Sequence, residues 1–170
     1  MTERVQDALN SAYSRALSEH NTQTTPEHLL AALLTQDRGI VPDVVRVAGA
    51  DPAKLERSVE QAIGRLPRLS GANADNATVT LSPELGRLLG QAETESKQLQ
   101  DDYVSVEHLL LAMTQSSGAV GALLREAGLT HDAILTALRS VRGNQRVTTQ
   151  NPEGTYKSLE RYGRDLTLEA

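Results

Sequence analysis

The feature that most constrains this 170-residue chain is an internal repeat. The tetrapeptide Glu-His-Leu-Leu occurs at residues 27–30 and again at residues 107–110, which sets the offset at 80 positions. The same offset aligns the apolar positions of the preceding segment, so that the agreement extends over about 60 residues and indicates a duplication. Further matches are Val5 with Leu85, Leu9 with Leu89, Ala12 with Ala92 and, after a one-residue deletion, residues 46–49 with 125–128.

Each copy carries the start and stop signals of four helices. Thr25, Asp51 and Ser82 each precede a proline, which is typical of a helix N-cap followed by the first helical residue. Apolar residues inside the segments recur with helical spacing, and glycine follows the third segment of each copy. We therefore predict an all-α fold of two four-helix repeats related by a pseudo-twofold axis. The eight helices are expected at residues 3–20, 25–36, 41–48, 52–65, 83–100, 106–116, 118–127 and 131–142.

Composition divides the chain into four parts. Repeat 1 is expected at residues 1–66 and repeat 2 at residues 82–142. Residues 67–81 are rich in Gly, Asn, Ala and Thr, and they are predicted to be a linker that is mobile at residues 73–76. Residues 143–170 are predicted to hold a second mobile linker, up to residue 155, and a short helix at residues 156–162 that begins a further unit.

Charge and composition exclude several partners. The formal net charge is −5, so phosphate repulsion argues against nucleic acid or an anionic membrane as the main partner. Cysteine, Trp and Phe are absent, which excludes disulfides and thiolate metal sites and leaves a core of Leu, Val, Ile and Ala. No apolar run approaches the roughly 18 residues of a membrane span, and the N-terminus lacks a signal-peptide pattern. We expect a cytoplasmic protein.

No catalytic signature is present, and we predict no catalytic, cofactor-binding or metal-binding residue in this chain. The sequence has no Gly-x-x-x-x-Gly-Lys-Ser/Thr loop, no Gly-x-Ser-x-Gly elbow and no His-Glu-x-x-His pair. His28 and His108 each lack the neighbouring ligands of a metal site, so we interpret them as capping or packing residues. Glu27 and Glu107 are interpreted as first-turn acids that the helix dipole favours, and a surface role for Glu107 stays open.

The repeat signature resembles a known family. The pattern Thr-x-Glu-His-Leu-Leu-x-Ala-Leu-Leu at residues 25–34, the Ala-Gly ending of each third helix and the duplication resemble the Clp N-terminal domain, which precedes the ATPase rings of Clp unfoldases. Residues 64–71, Gly-Arg-Leu-Pro-Arg-Leu-Ser-Gly, are similar to the Leu-Pro-x-Val-x-Gly junction of the ClpB-type disaggregases, with Leu69 in place of Val. Residues 155–167 look like the segment that opens the first ATPase domain of that group.

The resemblance implies a function that composition and periodicity do not show. It implies a full-length homohexamer that uses ATP and magnesium and disaggregates proteins with the DnaK system. The N-terminal part would engage unfolded or aggregated polypeptides, and in isolation it is expected to be a monomer without ATPase activity. An alternative within the family is the adaptor-docking N-terminal domain of a Clp protease unfoldase of the ClpC or ClpA type. A free-standing helical hydrolase would need a buried titratable cluster at the repeat seam, and no such cluster is evident in the sequence.

The resemblance also implies where a polypeptide would bind. The family's groove lies near the first, fifth and sixth helices. Tyr103 is the only aromatic residue of the second repeat, and it suits an interface anchor. Core packing is the alternative for Leu88 and Leu89, and a solvated loop position is the alternative for Asp101. By position, the expected groove residues are Thr2, Val5, Leu88, Leu89, Gln91, Asp101, Tyr103, Glu107 and His108.

Overall fold

The computed structural model describes residues 1–37, 39–69 and 78–143. Within those ranges it has eight α-helices, so the predicted all-α fold is confirmed, and each helix begins and ends within two residues of its expected limits. The predictions for residues 73–76, 144–155 and 156–162 lie outside the described residues. The helices are α1 (Glu3–Ser18), α2 (Pro26–Thr35), α3 (Val41–Val47), α4 (Pro52–Gly64), α5 (Pro83–Gln98), α6 (Val106–Thr114), α7 (Ala119–Glu126) and α8 (His131–Arg142).

The first helix of each repeat ends two residues earlier than the sequence predicted. His20 and Gln100 follow α1 and α5 with φ angles of 59° and 58°, in the left-handed region that residues other than glycine seldom adopt. The next N–H, that of Asn21 or Asp101, then bonds back to a helical carbonyl at 2.9 Å in both repeats. The same unusual turn at the same repeat position supports the duplication.

The two repeats hold each other through their N-caps. The hydroxyls of Thr2 and Ser82 accept first-turn N–H groups of α1 and α5. The backbone N–H of Thr2 donates to the carbonyl of Val104 at 2.9 Å, and the N–H of Ser82 donates to the carbonyl of Thr24 at 3.0 Å. Each repeat therefore binds the start of the other repeat's first helix, as a pseudo-twofold arrangement requires.

The predicted inter-repeat linker is partly ordered by strand pairing. Strand β1 (Gln23–Thr24) pairs in parallel with β2 (Thr80–Leu81), and Asn21 forms an antiparallel bridge with Arg68. Val79 is buried beside β2. Composition alone gave no sign of this pairing, because two-residue strands depend on which distant segments the helices bring together.

Helices α2 and α6 form the centre of the molecule. Both are apolar on nearly every side, which is typical of a helix enclosed by others. Helix α2 packs on α1 and α4, and α6 packs on α5, α7 and α8. Contacts of α3 with α8 and of α4 with α7 join the repeats, so the described helices share one aliphatic core.

Candidate functional site

The histidine of the first repeat is a buried capping residue. The Nδ1 atom of His28 accepts the backbone N–H of Thr25 at 3.0 Å, and its Nε2 atom lies 2.9 Å from Oδ1 of Asn21. These two bonds fit the neutral ring with its hydrogen on Nε2. Burial lowers the pKa of His28, and the positive charge of Arg15 lowers it further while Glu19 opposes the shift. The interpretation of this histidine as a capping residue agrees with the structure.

The equivalent histidine of the second repeat belongs to a charged network. The Nδ1 atom of His108 accepts the backbone N–H of Ser105 at 2.8 Å, and its Nε2 atom lies 2.6 Å from a carboxylate oxygen of Asp101. The same carboxylate accepts two bonds from the guanidinium of Arg142, at 2.6 and 3.0 Å. All these side chains are buried. The alternative that Asp101 is a solvated loop acid is therefore wrong, because the network encloses its carboxylate.

The two first-turn acids also face inward. Glu27 is 6% exposed and Glu107 is fully buried, so a surface role for Glu107 is not supported. Burial raises the pKa of Glu27, and the negative charge of Glu84 raises it further, while the hydrogen bond from its own backbone N–H acts in the opposite direction. The first-turn position was predictable, but the inward direction of these side chains was not.

We expect Glu27→Gln to stabilise the folded chain at neutral pH, and to do so less in acid. The pKa of Glu27 is higher in the folded than in the unfolded chain, so the folded state favours the protonated, neutral carboxyl. That contribution is fully present below the unfolded pKa and is lost as the pH rises through the folded pKa. Glutamine resembles the neutral form. Urea unfolding of both chains at about pH 4 and pH 7 checks this, given an ordinary Glu pKa of about 4.3.

The exposed acid Glu126 supplies the control for this titration. The effect of Glu126→Gln on the free energy of unfolding should be the same at both pH values. An equal effect of Glu27→Gln on the free energy of unfolding at both pH values would contradict the assigned burial effect.

The structure separates the predicted groove residues into two groups. Six are buried as caps, as core residues or in the polar networks, although Leu88 still lines a cavity beside α5: Thr2, Val5, Leu88, Asp101, Glu107 and His108. Three are partly exposed: Leu89, Gln91 and Tyr103. Packing in the core is thus observed for Leu88, as the alternative held, while Leu89 is only partly buried. Of the nine predicted residues, the three partly exposed side chains and Leu88, at the surface of a cavity, are the ones a polypeptide could contact in this conformation.

A groove with two adjoining cavities follows one side of α5, and the cavities share Glu84 and Arg87. The first, of about 320 Å³, lies between the start of α5, the turn at residues 21–27 and residues 66–67. The second, of about 410 Å³, lies between α5, the end of α6 and residues 115–118, and Leu88 and Gln91 line it. Tyr103 and Leu89 are in neither lining, so the structure does not bring the predicted residues into one groove.

The walls of the second cavity are polar and its floor is partly apolar. The side-chain amide of Gln91 donates to Oε1 of Gln115 at 3.0 Å, and Arg87 is exposed beside it. Leu88 and Ala112 contribute apolar surface. Sequence reasoning missed Arg87 and Gln115, since no motif marks them and only the packing of α5 against α6 brings them together.

This arrangement can offer hydrogen bonds and apolar contact. Among the described residues there is no group of three His, Cys, Asp or Glu side chains that could hold a metal ion. In the same part of the chain, no helix is both long enough and apolar enough to cross a membrane.

Comparison with known sequences gives one consistent result. Residues 1–153 match the family described as the Clp repeat (R) N-terminal domain. The chaperone protein ClpB of Bacillus anthracis is 41% identical over 169 residues, which are 99% of this chain and 20% of that protein. ClpB of Clostridium perfringens is 42% identical over 168 residues, 98% of this chain and 19% of that protein. This chain thus spans about a fifth of the length of these curated relatives.

Solved structures show the same architecture. The N-terminal domain of Hsp104 from Candida albicans has a TM-score of 0.77 and 26% identity, covering 90% of this chain and 98% of that one. The N-terminal domain of the ClpV1 ATPase from E. coli has a TM-score of 0.70 and 21% identity, covering 87% and 88%. Because its sequence identity is low, the ClpV1 domain shows only that the fold is shared.

Proposed function

This chain belongs to the Clp repeat N-terminal domain family, and from that premise we propose that it engages unfolded polypeptide segments for an ATP-dependent protein disaggregase. The observation that carries the proposal is the groove along α5. The names of the curated relatives, which are ClpB chaperones, support the same function.

The groove offers what an extended polypeptide needs. A backbone in extended form presents unsatisfied N–H and C=O groups, and its side chains alternate between two faces. The amides of Gln91 and Gln115 can each donate and accept hydrogen bonds, and the guanidinium of Arg87 can donate to carbonyls. Leu88 and Ala112 provide apolar contact that does not depend on sequence. A site of this kind binds many unfolded segments with little selectivity for their sequence.

The proposal extends to the whole protein. We propose that the whole protein is a homohexamer located in the cytoplasm, that it works with the DnaK system, and that ATP and magnesium bind outside residues 1–143. The ClpB relatives extend well beyond the region that matches this chain, which leaves room for ATPase domains.

Docking of an adaptor protein is a second candidate, and one surface favours it. Tyr13 and Leu17 lie one turn apart on α1 and are 47% and 44% exposed. The equivalent positions of repeat 2 are Glu93 and Lys97, which form an ion pair. An apolar pair where the other copy is charged suits contact with a folded partner. Serine at both positions would reduce adaptor binding and leave polypeptide binding unchanged if the two functions use separate surfaces.

We expect the double substitution Arg87→Ala and Gln91→Ala to weaken binding of an unfolded polypeptide such as casein. The wild-type dissociation constant should lie between about 1 μM and 1 mM, since a small contact must also order its ligand. The variant should bind several-fold more weakly, and its free energy of unfolding should change by less than about 1 kcal/mol because both side chains lie at the surface. Fluorescence anisotropy and urea unfolding measure the two quantities.

Arg139→Ala is the matched control for Arg87. Arg139 is an exposed arginine on α8 outside the groove, so its loss changes the net charge equally without touching the site. Equal weakening by Arg139→Ala would indicate a general charge effect and would contradict a specific site.

Tyr103 tests the surface that the resemblance indicated. Because its ring is partly exposed, Tyr103→Ala should weaken polypeptide binding with little loss of stability. Tyr103→Phe should retain most of the binding, since the ring supplies the contact. A loss of about 3–5 kcal/mol in the free energy of unfolding would instead show that the ring acts as core.

A further inference from the structure

When the two repeats are aligned, a buried arginine of the second repeat occupies the position of a buried aliphatic residue in the first. The fourth helices align at an offset of 79 positions, as Gly49 and Gly128 show by their shared left-handed conformation. Arg142 then falls on Ile63, and the two are 8% and 1% exposed. The other apolar positions agree: Leu55 with Ile134 and Val59 with Leu138, all of them buried.

A second exchange accompanies the first. Asn21 of repeat 1 aligns with Asp101 of repeat 2, and each contacts the capping histidine of its own repeat. The neutral pair is therefore Asn21 with Ile63, and the charged pair is Asp101 with Arg142. Because the first repeat builds the same cap without charges, packing alone does not require the ion pair in the second. A buried ion pair is also weak evidence of added stability.

The ion pair joins two parts of the second repeat that are far apart in sequence. Asp101 begins the turn at residues 101–105, which carries Tyr103 and ends at the N-cap Ser105. Arg142 is the last residue of α8. The carboxylate and guanidinium thus fix the turn to the end of α8, across 41 positions of sequence.

The equivalent turn of the first repeat is held differently. Residues 21–25 are anchored by the pairing of β1 with β2, by the bridge to Arg68 and by a bond from the Asn21 amide to the carbonyl of Pro67 at 3.0 Å. Among the described residues, no strand pairs with the turn that carries Tyr103, and the N–H of Thr2 in the other repeat donates to the carbonyl of Val104 in this turn. The second repeat thus has a charged pair where the first repeat has strand pairing.

We propose that Arg142 is a positioning residue that acts through Asp101 to hold the turn at residues 101–105 in the conformation that presents Tyr103 to a bound polypeptide. The proposal rests on the proposed polypeptide-binding function. Arg142 itself is buried and does not contact the ligand.

Two variants separate positioning from stability. Arg142→Ile introduces the residue of the first repeat, and the double variant Asp101→Asn with Arg142→Ile introduces both of its residues. The double variant removes both buried charges and should recover most of the stability that the single variant loses. Neither variant restores a bond between the turn and the end of α8.

We expect both variants to show about tenfold faster hydrogen exchange at residues 102–104 than the wild type, with unchanged exchange in α2. Casein binding should weaken in both by about the factor that Tyr103→Ala produces, roughly three- to tenfold. The exchange rate and the casein affinity of Arg142→Lys should lie between those of the wild type and those of Arg142→Ile, because one ammonium cannot form the two parallel bonds.

Wild-type exchange and wild-type casein affinity in the double variant would overturn the proposal, since packing would then position the turn. If Tyr103→Ala leaves casein binding unchanged, binding at this turn is refuted and so is the presenting role of Arg142. The groove along α5 would still be tested separately by the Arg87 and Gln91 variant.

Discussion

Replacing Asp101 by alanine is expected to lower the free energy of unfolding by about 3–5 kcal/mol, the usual cost of removing one member of a buried ion pair. The substitution removes both bonds to the buried guanidinium of Arg142 and the bond to Nε2 of His108. Urea unfolding followed by circular dichroism gives the difference directly.

The first repeat offers a matched control. Asn21→Ala removes neutral hydrogen bonds at the equivalent position, so it should cost about 1–3 kcal/mol. The free energy of unfolding of the double variant Asp101→Asn with Arg142→Ile should lie within about 2 kcal/mol of the wild-type value, because no buried charge loses its partner. A cost for Asp101→Ala no larger than that of Asn21→Ala would contradict the importance of the charges.

Alanine at Gly121 is expected to destabilise the fold by about 1–3 kcal/mol, the usual cost of overpacking. A Cβ atom at this buried position of α7 would lie 1.9 Å from the backbone carbonyl oxygen of Ser116, and a backbone atom cannot move aside as a flexible side chain can. Thermal and urea unfolding measure the loss.

Two glycines of α5 give the opposite expectation. Nothing lies within 4 Å of a Cβ built at Gly86 or Gly90, and both positions are exposed and helical. Alanine at either should raise the free energy of unfolding by about 0.5–1 kcal/mol, from helix propensity and reduced freedom of the unfolded chain. If Gly121→Ala instead raised the free energy of unfolding by as much as the substitutions at Gly86 and Gly90, the expected clash with the Ser116 carbonyl would be contradicted.

Local signals were enough to predict the helices. Caps such as Ser82-Pro83 and the helical spacing of apolar residues depend on neighbours in sequence, and they placed every described helix within two residues. The left-handed His20 and Gln100 were not predicted, since neither is a glycine, the residue that usually marks such a turn.

The site was predicted less well, because burial of a polar side chain depends on distant partners. Position relative to the family's groove could not show that Glu107 and His108 point inward, or that Arg142 reaches Asp101 across 41 residues. One signal was present in the sequence. Alignment of the repeats places Arg142 on an isoleucine and Asp101 on an asparagine, and two opposite charges that appear together in one copy indicate a buried pair.

The most direct test of polypeptide binding by the groove along α5 is a titration of the ¹⁵N-labelled chain with unfolded casein, followed by backbone amide chemical shifts. We expect the amides of residues 87–91 and 115–118 to shift, and the shifts to be reduced in the Arg87→Ala and Gln91→Ala variant. Shifts confined to the α1 surface around Tyr13 and Leu17, or no shifts at casein concentrations in the millimolar range at which weak complexes form, would contradict the account.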